Sequence, residues 1–251
     1  MELSNEQAER YSRHIVLKGV GIEGQKKLLN GRVFIIGAGG LGSPAAMYLA
    51  AAGVGTIGIA DADSVDLSNL QRQIIHTSND LGRDKVLSAK ETMMNINPDI
   101  KVNAYCTRVG EDNILDLISG YDFVLDCSDN FVTKFLINDA CVKARIPFSH
   151  AGISGFQGQL MTYVPKEGPC YRCIFKEPPP DGAVPDGRQT GVIGALCGVI
   201  GSMQAMEAVK YLIGEGELLT GCMLTYDAMN ADFRKIKLPE KVNDCSVCKG
   251  R

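Results

Sequence analysis

Apolar and polar positions along this chain switch repeatedly between a strand-like and a helix-like period, and glycines mark many of the changes. Residues 33–36, VFII, are an unbroken apolar run that leads directly into GAGGLGS. A short apolar run bounded by turn residues predicts a strand buried on both faces, and Asn30-Gly31 breaks the chain ahead of it. Past the glycines, Ser43 is expected to cap a helix and Pro44 to occupy its first turn. Residues 45–52 continue that helix with small side chains suited to close packing on a sheet. Gly53 and Gly55 end it, and 57–60 is a second apolar strand, which completes a βαβ unit. The alternation continues with a helix over 85–95 stopped by Asn-Pro-Asp, a strand over 101–105 and a helix over 111–119. A fully apolar strand over 123–126, a helix over 131–144 and a strand over 146–150 follow. With a further helix over 4–17, this pattern predicts an α/β fold, a Rossmann-like, doubly wound and mostly parallel sheet.

The pattern changes from about residue 152. Residues 159–164 alternate like a strand with one exposed face. The stretch KEPPPDGAVPDGRQ, 176–189, has few large apolar residues and predicts a mobile loop over 176–190. A helix over 191–213 and a hairpin of 223–226 with 233–238, turning at DAMN, extend the sheet by antiparallel strands toward the C-terminus. The expected organisation is one domain over 1–251: a helical segment at 1–30, a nucleotide-binding part at 31–150 and a third part at 151–251.

Composition narrows the function classes without choosing one. Hydrophobic residues make up 45% and charged residues 22%, as in ordinary globular proteins, and the net charge of −3 gives no nucleic-acid footprint. The N-terminus is charged and amphipathic, unlike a secretory leader, and the apolar stretch 191–206 is too short and glycine-rich for a membrane span. Nine cysteines, an odd number, argue against a disulfide framework. A cytoplasmic protein that engages neither membrane nor nucleic acid is expected.

Candidate chemistry begins with Gly37, Gly39 and Gly42, which fit G-x-G-x-x-G between a strand and a helix, the context in which that loop lets a backbone approach a pyrophosphate. Asp61 ends the second strand about 20 residues on, where an acid can hold ribose hydroxyls. These residues suit a nicotinamide enzyme and an ATP enzyme equally. The following run, DADSVDLSNLQRQ, places Asp61, Asp63, Asn69, Arg72 and Gln73 together, with Lys85 at the next predicted helix start. Fixed cations and polar groups beside a pyrophosphate favour triphosphate cleavage, where charge moves onto phosphoryl oxygens.

Together, GAGGLGS, DADSVDLSNLQRQ, GRDK and LDCSDN resemble the ThiF/MoeB/HesA family, bacterial relatives of the ubiquitin-activating enzymes, and the resemblance runs from RYSRHIVL to the final CSVC. It implies an adenylyltransferase that uses ATP and Mg²⁺ to adenylate the C-terminal glycine of a small ubiquitin-like sulfur-carrier protein ending in Gly-Gly, the carrier meeting the 151–251 part. By motif match, Gly40 and the glycines around it (Gly37, Gly39, Gly42) cradle the nucleotide and Asp61 holds the ribose. Asn69, Arg72 and Lys85 meet the phosphates, and Asp129 of DCSDN holds Mg²⁺. Asp129 is alternatively a helix cap, as is Asn130. Arg13 matches an arginine lent to the neighbouring subunit's ATP, which implies a homodimer with composite sites. A sulfur donor such as a cysteine desulfurase is a further implied partner.

Cys170 and Cys173 in CYRC, with Cys245 and Cys248 in CSVC, have the spacing of a closed tetrahedral Cys₄ zinc site, structural rather than catalytic. Cys106, Cys127, Cys141, Cys197 and Cys222 are expected as small buried residues. Many relatives carry a cysteine ahead of the 191–213 helix that can bond covalently to the carrier. Here RQTGVIG places Gly187 at that position, so adenylation without a covalent cysteine step is expected. Two alternatives stand beside this reading: a nicotinamide-dependent oxidoreductase, for which His14, His76 and His150 are the available histidine proton-transfer groups, and a non-catalytic carrier-binding relative.

Overall fold

The computed structural model describes residues 2–180, 190–239 and 245–248. Eight strands form one sheet in the order β3-β2-β1-β4-β5-β6-β7-β8. The first five are parallel: β1 (Arg32–Ile36), β2 (Thr56–Asp61), β3 (Lys101–Cys106), β4 (Phe123–Asp126) and β5 (Phe148–Ser154). The antiparallel extension is β6 (Gln157–Tyr163), β7 (Cys222–Asp227) and β8 (Asp232–Lys237). The expected α/β architecture is therefore present, with the predicted hairpin as its last two strands.

Helices cover both faces of the parallel part, so its central strands β1 and β4 carry apolar runs rather than alternating patterns. Val33 and Ile35 of β1 and Ile57 and Ile59 of β2 point into one core, shared with α3 (Gly21–Asn30), α4 (Gly42–Ala52), α5 (Lys85–Ile96) and α9 (Gly194–Ile213). Phe34, Ile36, Val124 and Phe148 point into the other, shared with α6 (Ile114–Ile118), α7 (Phe131–Ala144) and the single turn α8 (Tyr171–Ile174). β1 lies between β2 and β4, so the loops after β1 and β4 depart to opposite faces and leave a crevice at the carboxyl ends of the strands. Open α/β sheets bind ligands at such a switch point.

Several local expectations need correction. The helix expected over 4–17 is broken at Tyr11 into α1 (Asn5–Arg10) and α2 (Ser12–Ile15), because the Tyr11 ring turns inward to 1% exposure. Its hydroxyl accepts a hydrogen bond from Asn97 Nδ2 at 2.8 Å, and it fills the space left by Gly53, whose added Cβ would lie 2.4 Å from that oxygen. Ser43 does not cap α4; it lies inside the first turn and donates to the Gly39 carbonyl at 2.8 Å. The helix expected from 111 starts at Ile114, and the fifth strand runs later than 146–150. Cys106 is exposed at the end of edge strand β3, where burial was expected, whereas Cys127, Cys141, Cys197 and Cys222 are buried. Residues 176–180 have no regular structure, and 181–189, including Gly187, lie outside the described residues.

Candidate functional site

The loop after β1 is built by two glycines and left open by a third. Gly37 has φ +103°, and a Cβ there would lie 2.6 Å from the Cys127 carbonyl, so the β1 and β4 loops touch backbone to backbone. A Cβ on Gly42 would lie 1.9 Å from the Gly37 carbonyl, which closes the turn. At Gly39 the nearest atom to an added Cβ is Gln73 Nε2 at 3.7 Å, so this backbone stays approachable. Gly40 packs over Cys197, whose Sγ would lie 2.9 Å from an added Cβ.

Side chains from later segments fix the loop. Asp61 Oδ2 accepts from the Ala38 amide and its Oδ1 from the Asp63 amide, both at 2.8 Å. The Ala38 carbonyl faces His76 Nε2 at 3.1 Å, and His76 Nδ1 faces Ser88 Oγ at 2.9 Å. Burial pushes the His76 pKa down against the opposing effect of the carbonyl bond, so the ring is neutral near pH 7. A neutral ring satisfies both contacts with hydrogen on Nε2 and Ser88 donating to Nδ1.

The predicted polar run gathers beside this loop. Lys85 is the first residue of α5, and its ammonium meets Asp63 Oδ2 at 3.0 Å; the lysine side chain is 7% exposed and its partner 64%. Asn69 ends a 3₁₀ turn (Leu67–Asn69), its Oδ1 accepting from the Asp66 amide at 3.1 Å. Arg72 donates to the Ser68 carbonyl at 3.0 Å, and its Cδ lies 3.6 Å from an added Gly40 Cβ. Gln73 is buried, with its Oε1 unpartnered among the described residues. Across the crevice, Asp129 stands exposed between β4 and α7. Asn130 rather than Asp129 caps α7, accepting from the Thr133 amide at 2.9 Å, while its Nδ2 lies 3.4 Å from Asp129 Oδ1.

Arg13 does not join this group. Tyr11 packs beside Gly53 at the carboxyl end of α4, and Arg10 donates to the Ile96 carbonyl at the carboxyl end of α5. The site lies at the amino ends of both helices. Eleven residues of α4 span about 16 Å, beyond the reach of an arginine side chain on α2.

The four cysteines do come together. Cys170 Sγ lies 3.8 Å from Cys173 Sγ and 3.7 Å from Cys245 Sγ, and Cys173 Sγ lies 3.5 Å from Cys248 Sγ. A tetrahedron of thiolates about 2.3 Å from zinc has edges of about 3.8 Å, so the donor set and its size fit zinc. Burial and the neighbouring thiols push Cys170 up, a penalty on the thiolate that a bound cation relieves. The segment bearing Cys245 is thereby joined to α8.

Two supporting residues, His76 and Lys134, carry no recognisable motif. Asp126 lies within LDCSDN without an assigned role, although a fully buried acid ending an apolar strand signals in itself that a cation or donors must lie nearby. No histidine opens onto the crevice: His76 and His150 are buried, and His14 bonds Gln25 at the far end of the sheet.

Residues 11–247 match the ThiF family. The chain is 48% identical over 249 residues to the SAMP-activating enzyme E1 of Haloferax volcanii, covering 99% of this chain and 91% of that protein. It is 44% identical over 247 residues to the adenylyltransferase and sulfurtransferase MOCS3 of Culex quinquefasciatus, covering 98% of this chain and 56% of that longer protein. Among solved structures, Escherichia coli MccB with ATP superposes with a TM-score of 0.84 at 23% identity, over 95% of this chain and 73% of MccB, a likeness of fold.

Proposed function

The chain belongs to the ThiF family, and from that premise we propose that it uses ATP to adenylate the C-terminal glycine of a small ubiquitin-like sulfur carrier. The observation that carries this reading is Lys85: a buried ammonium held at the head of a helix, with one exposed carboxylate as its anchor. A lysine so placed has donors left for phosphoryl oxygens, and desolvation strengthens their effect on developing charge.

In this reading the loop backbone at Gly39 and Gly40 approaches the phosphates and Asp61 reaches the ribose. Arg72, Asn69, Gln73 and Lys85 line the phosphate chain. The carrier's terminal carboxylate attacks the α-phosphorus, the bond to the bridging oxygen breaks, and pyrophosphate leaves with its charge met by Lys85 and Arg72. Asp129 would hold Mg²⁺, which neutralises phosphate charge when bound. The Cys₄ cluster would hold a structural zinc. A sulfur donor such as a cysteine desulfurase then supplies the nucleophile that attacks the acyl carbon and releases AMP. With Gly187 at the usual cysteine position, no covalent enzyme–carrier link is needed. Arg13 is assigned to the partner's site in a homodimer.

The test is ATP–pyrophosphate exchange with labelled pyrophosphate, Mg²⁺ and candidate carriers ending in Gly-Gly. Exchange is expected with the cognate carrier, and Lys85→Ala and Asp129→Ala are expected to lower it by roughly 10²-fold or more with unchanged circular dichroism. Full exchange by Asp129→Ala refutes the Mg²⁺ assignment. A carrier recovered on an enzyme cysteine under non-reducing conditions refutes the direct route.

A further inference from the structure

Behind the exposed Asp129 lies a buried charge cluster that touches no proposed substrate. Asp126, the last residue of β4, is 0% exposed. Its Oδ2 accepts from His150 Nδ1 of β5 at 2.8 Å, and Lys134 of α7 lies 3.4 Å from each of its oxygens. Its Oδ1 also accepts from the Ser128 amide at 3.1 Å and the Ser128 hydroxyl at 2.5 Å. Lys134 donates in addition to the Ala151 carbonyl of β5 at 2.7 Å. Gln204 of α9 closes the other side, donating to the carbonyls of Asp126 and Ser149.

The connectivity of these bonds has a direction. In the turn 127–130, Ser128 is tied to Asp126, and the turn ends at α7, which is tied through Lys134 to the same carboxylate. Asp129 sits between the two ties. The start of the turn also carries the Cys127 carbonyl on which Gly37 packs, so the turn tied to this carboxylate is in contact with the loop on the other wall of the crevice. A structural ion pair alone would not need to converge on the two ends of one short turn. Burying charges is costly unless they are paired and hydrogen-bonded, and a well-packed apolar core would stabilise the fold as well.

We propose that Asp126, Lys134 and His150 are positioning residues that fix the 127–130 turn and thereby set the geometry with which Asp129 binds the metal–nucleotide complex. The nucleotide half of this statement rests on the function proposed above; the turn-fixing half does not. The tie through Lys134 links the first turns of α7 to the Asp126 carboxylate.

The experiment compares the purified full-length wild type with Lys134→Arg, which keeps the cation, and with Asp126→Asn/Lys134→Met, which removes both charges and so leaves no unpaired buried ion. Two quantities are read: amide hydrogen exchange over 128–133 in the free protein, and calorimetric affinity for ATP with Mg²⁺ and with EDTA. The double variant is expected to unfold cooperatively like wild type and to exchange these amides about tenfold faster or more. Its affinity for MgATP is expected to fall about tenfold while metal-free ATP changes less than about twofold. Lys134→Arg is expected to match wild type in both. Unchanged exchange over 128–133 in the double variant overturns the positioning role, and so does a parallel loss of MgATP and metal-free ATP. Should wild type bind no MgATP, the proposed function falls, while the exchange result still decides whether the cluster fixes the turn.

Discussion

Single residues at this site divide into those the fold requires and those it leaves open, and substitution separates them. Gly42→Ala drives a methyl to 1.9 Å from the Gly37 carbonyl, a backbone collision no rotamer relieves. It is expected to cost about 3 kcal/mol or more, read as a fall of roughly 6–12 °C in Tm for a chain of this size. Gly39→Ala meets only the end of Gln73, so stability is expected within about 1 kcal/mol of wild type while affinity for ATP falls. Equal Tm losses for the two variants would contradict the distinction. His76 gives the pH dependence of the loop. Its folded pKa is depressed by burial, so below its unfolded pKa of about 6.5 the unfolded chain binds more protons, and stability falls as pH falls. His76→Gln, titrated by urea unfolding, is expected to flatten that slope below pH 6.5 by up to about 1.4 kcal/mol per pH unit; His150, lowered by burial in the same sense, supplies a remaining slope. The residues that carry a local motif were legible in the sequence: the glycines, Asp61, Lys85 and Asp129 all sit on segments that the structure gathers. His76, Lys134 and His150 were not, because each takes its meaning from a partner on another element: Ala38 for one, Asp126 for the other two.

Elements were legible wherever burial on both sides made an apolar run, as in β1 and β4, or where spacing alone specifies geometry, as in the two C-x-x-C pairs. They were misjudged where one side chain overrides the local pattern. Tyr11 breaks an otherwise continuous helix because its hydroxyl finds Asn97 and its ring finds the space beside Gly53. Ser43 reads as a cap but bonds back into the loop because the turn ahead of it is already closed by Gly37 and Gly42. At this scale the cysteine cluster makes the strongest prediction. The segment 245–248 is a turn and α8 is a single helical turn, so neither is held by helix propensity. One zinc per chain is expected on metal analysis, and Cys248→Ser is expected to lose it. Chelation is expected to raise amide exchange at 171–174 and 245–248 while β1 and β2 keep their protection. Zinc-free protein with unchanged protection at both segments would remove the clamp role.

At the scale of the whole molecule, the position of Arg13 bears on assembly. α1 and α2 are anchored at the carboxyl ends of α4 and α5, while the crevice opens at their amino ends. The length of α4 separates the two, so an arginine on α2 has no route to the phosphates of its own chain. Beside it, Val16, Leu17 and Ile22 are exposed apolar residues on the same N-terminal segment, the kind of surface that a second subunit would cover. In the proposed homodimer, two-fold symmetry places this segment of each chain at the same location on the other, and a composite site would take Asp129 from one subunit and Arg13 from its partner. Arg13→Ala and Asp129→Ala are each expected to abolish pyrophosphate exchange when pure. Mixed at equal concentration and allowed to exchange subunits, they form mixed dimers in which one site has both groups intact and the other has neither. Random pairing makes half the dimers mixed with one good site each, so about one quarter of wild-type exchange is expected to return. No recovery, despite subunit exchange verified by native mass spectrometry, would mean that Arg13 acts on its own chain or not at all.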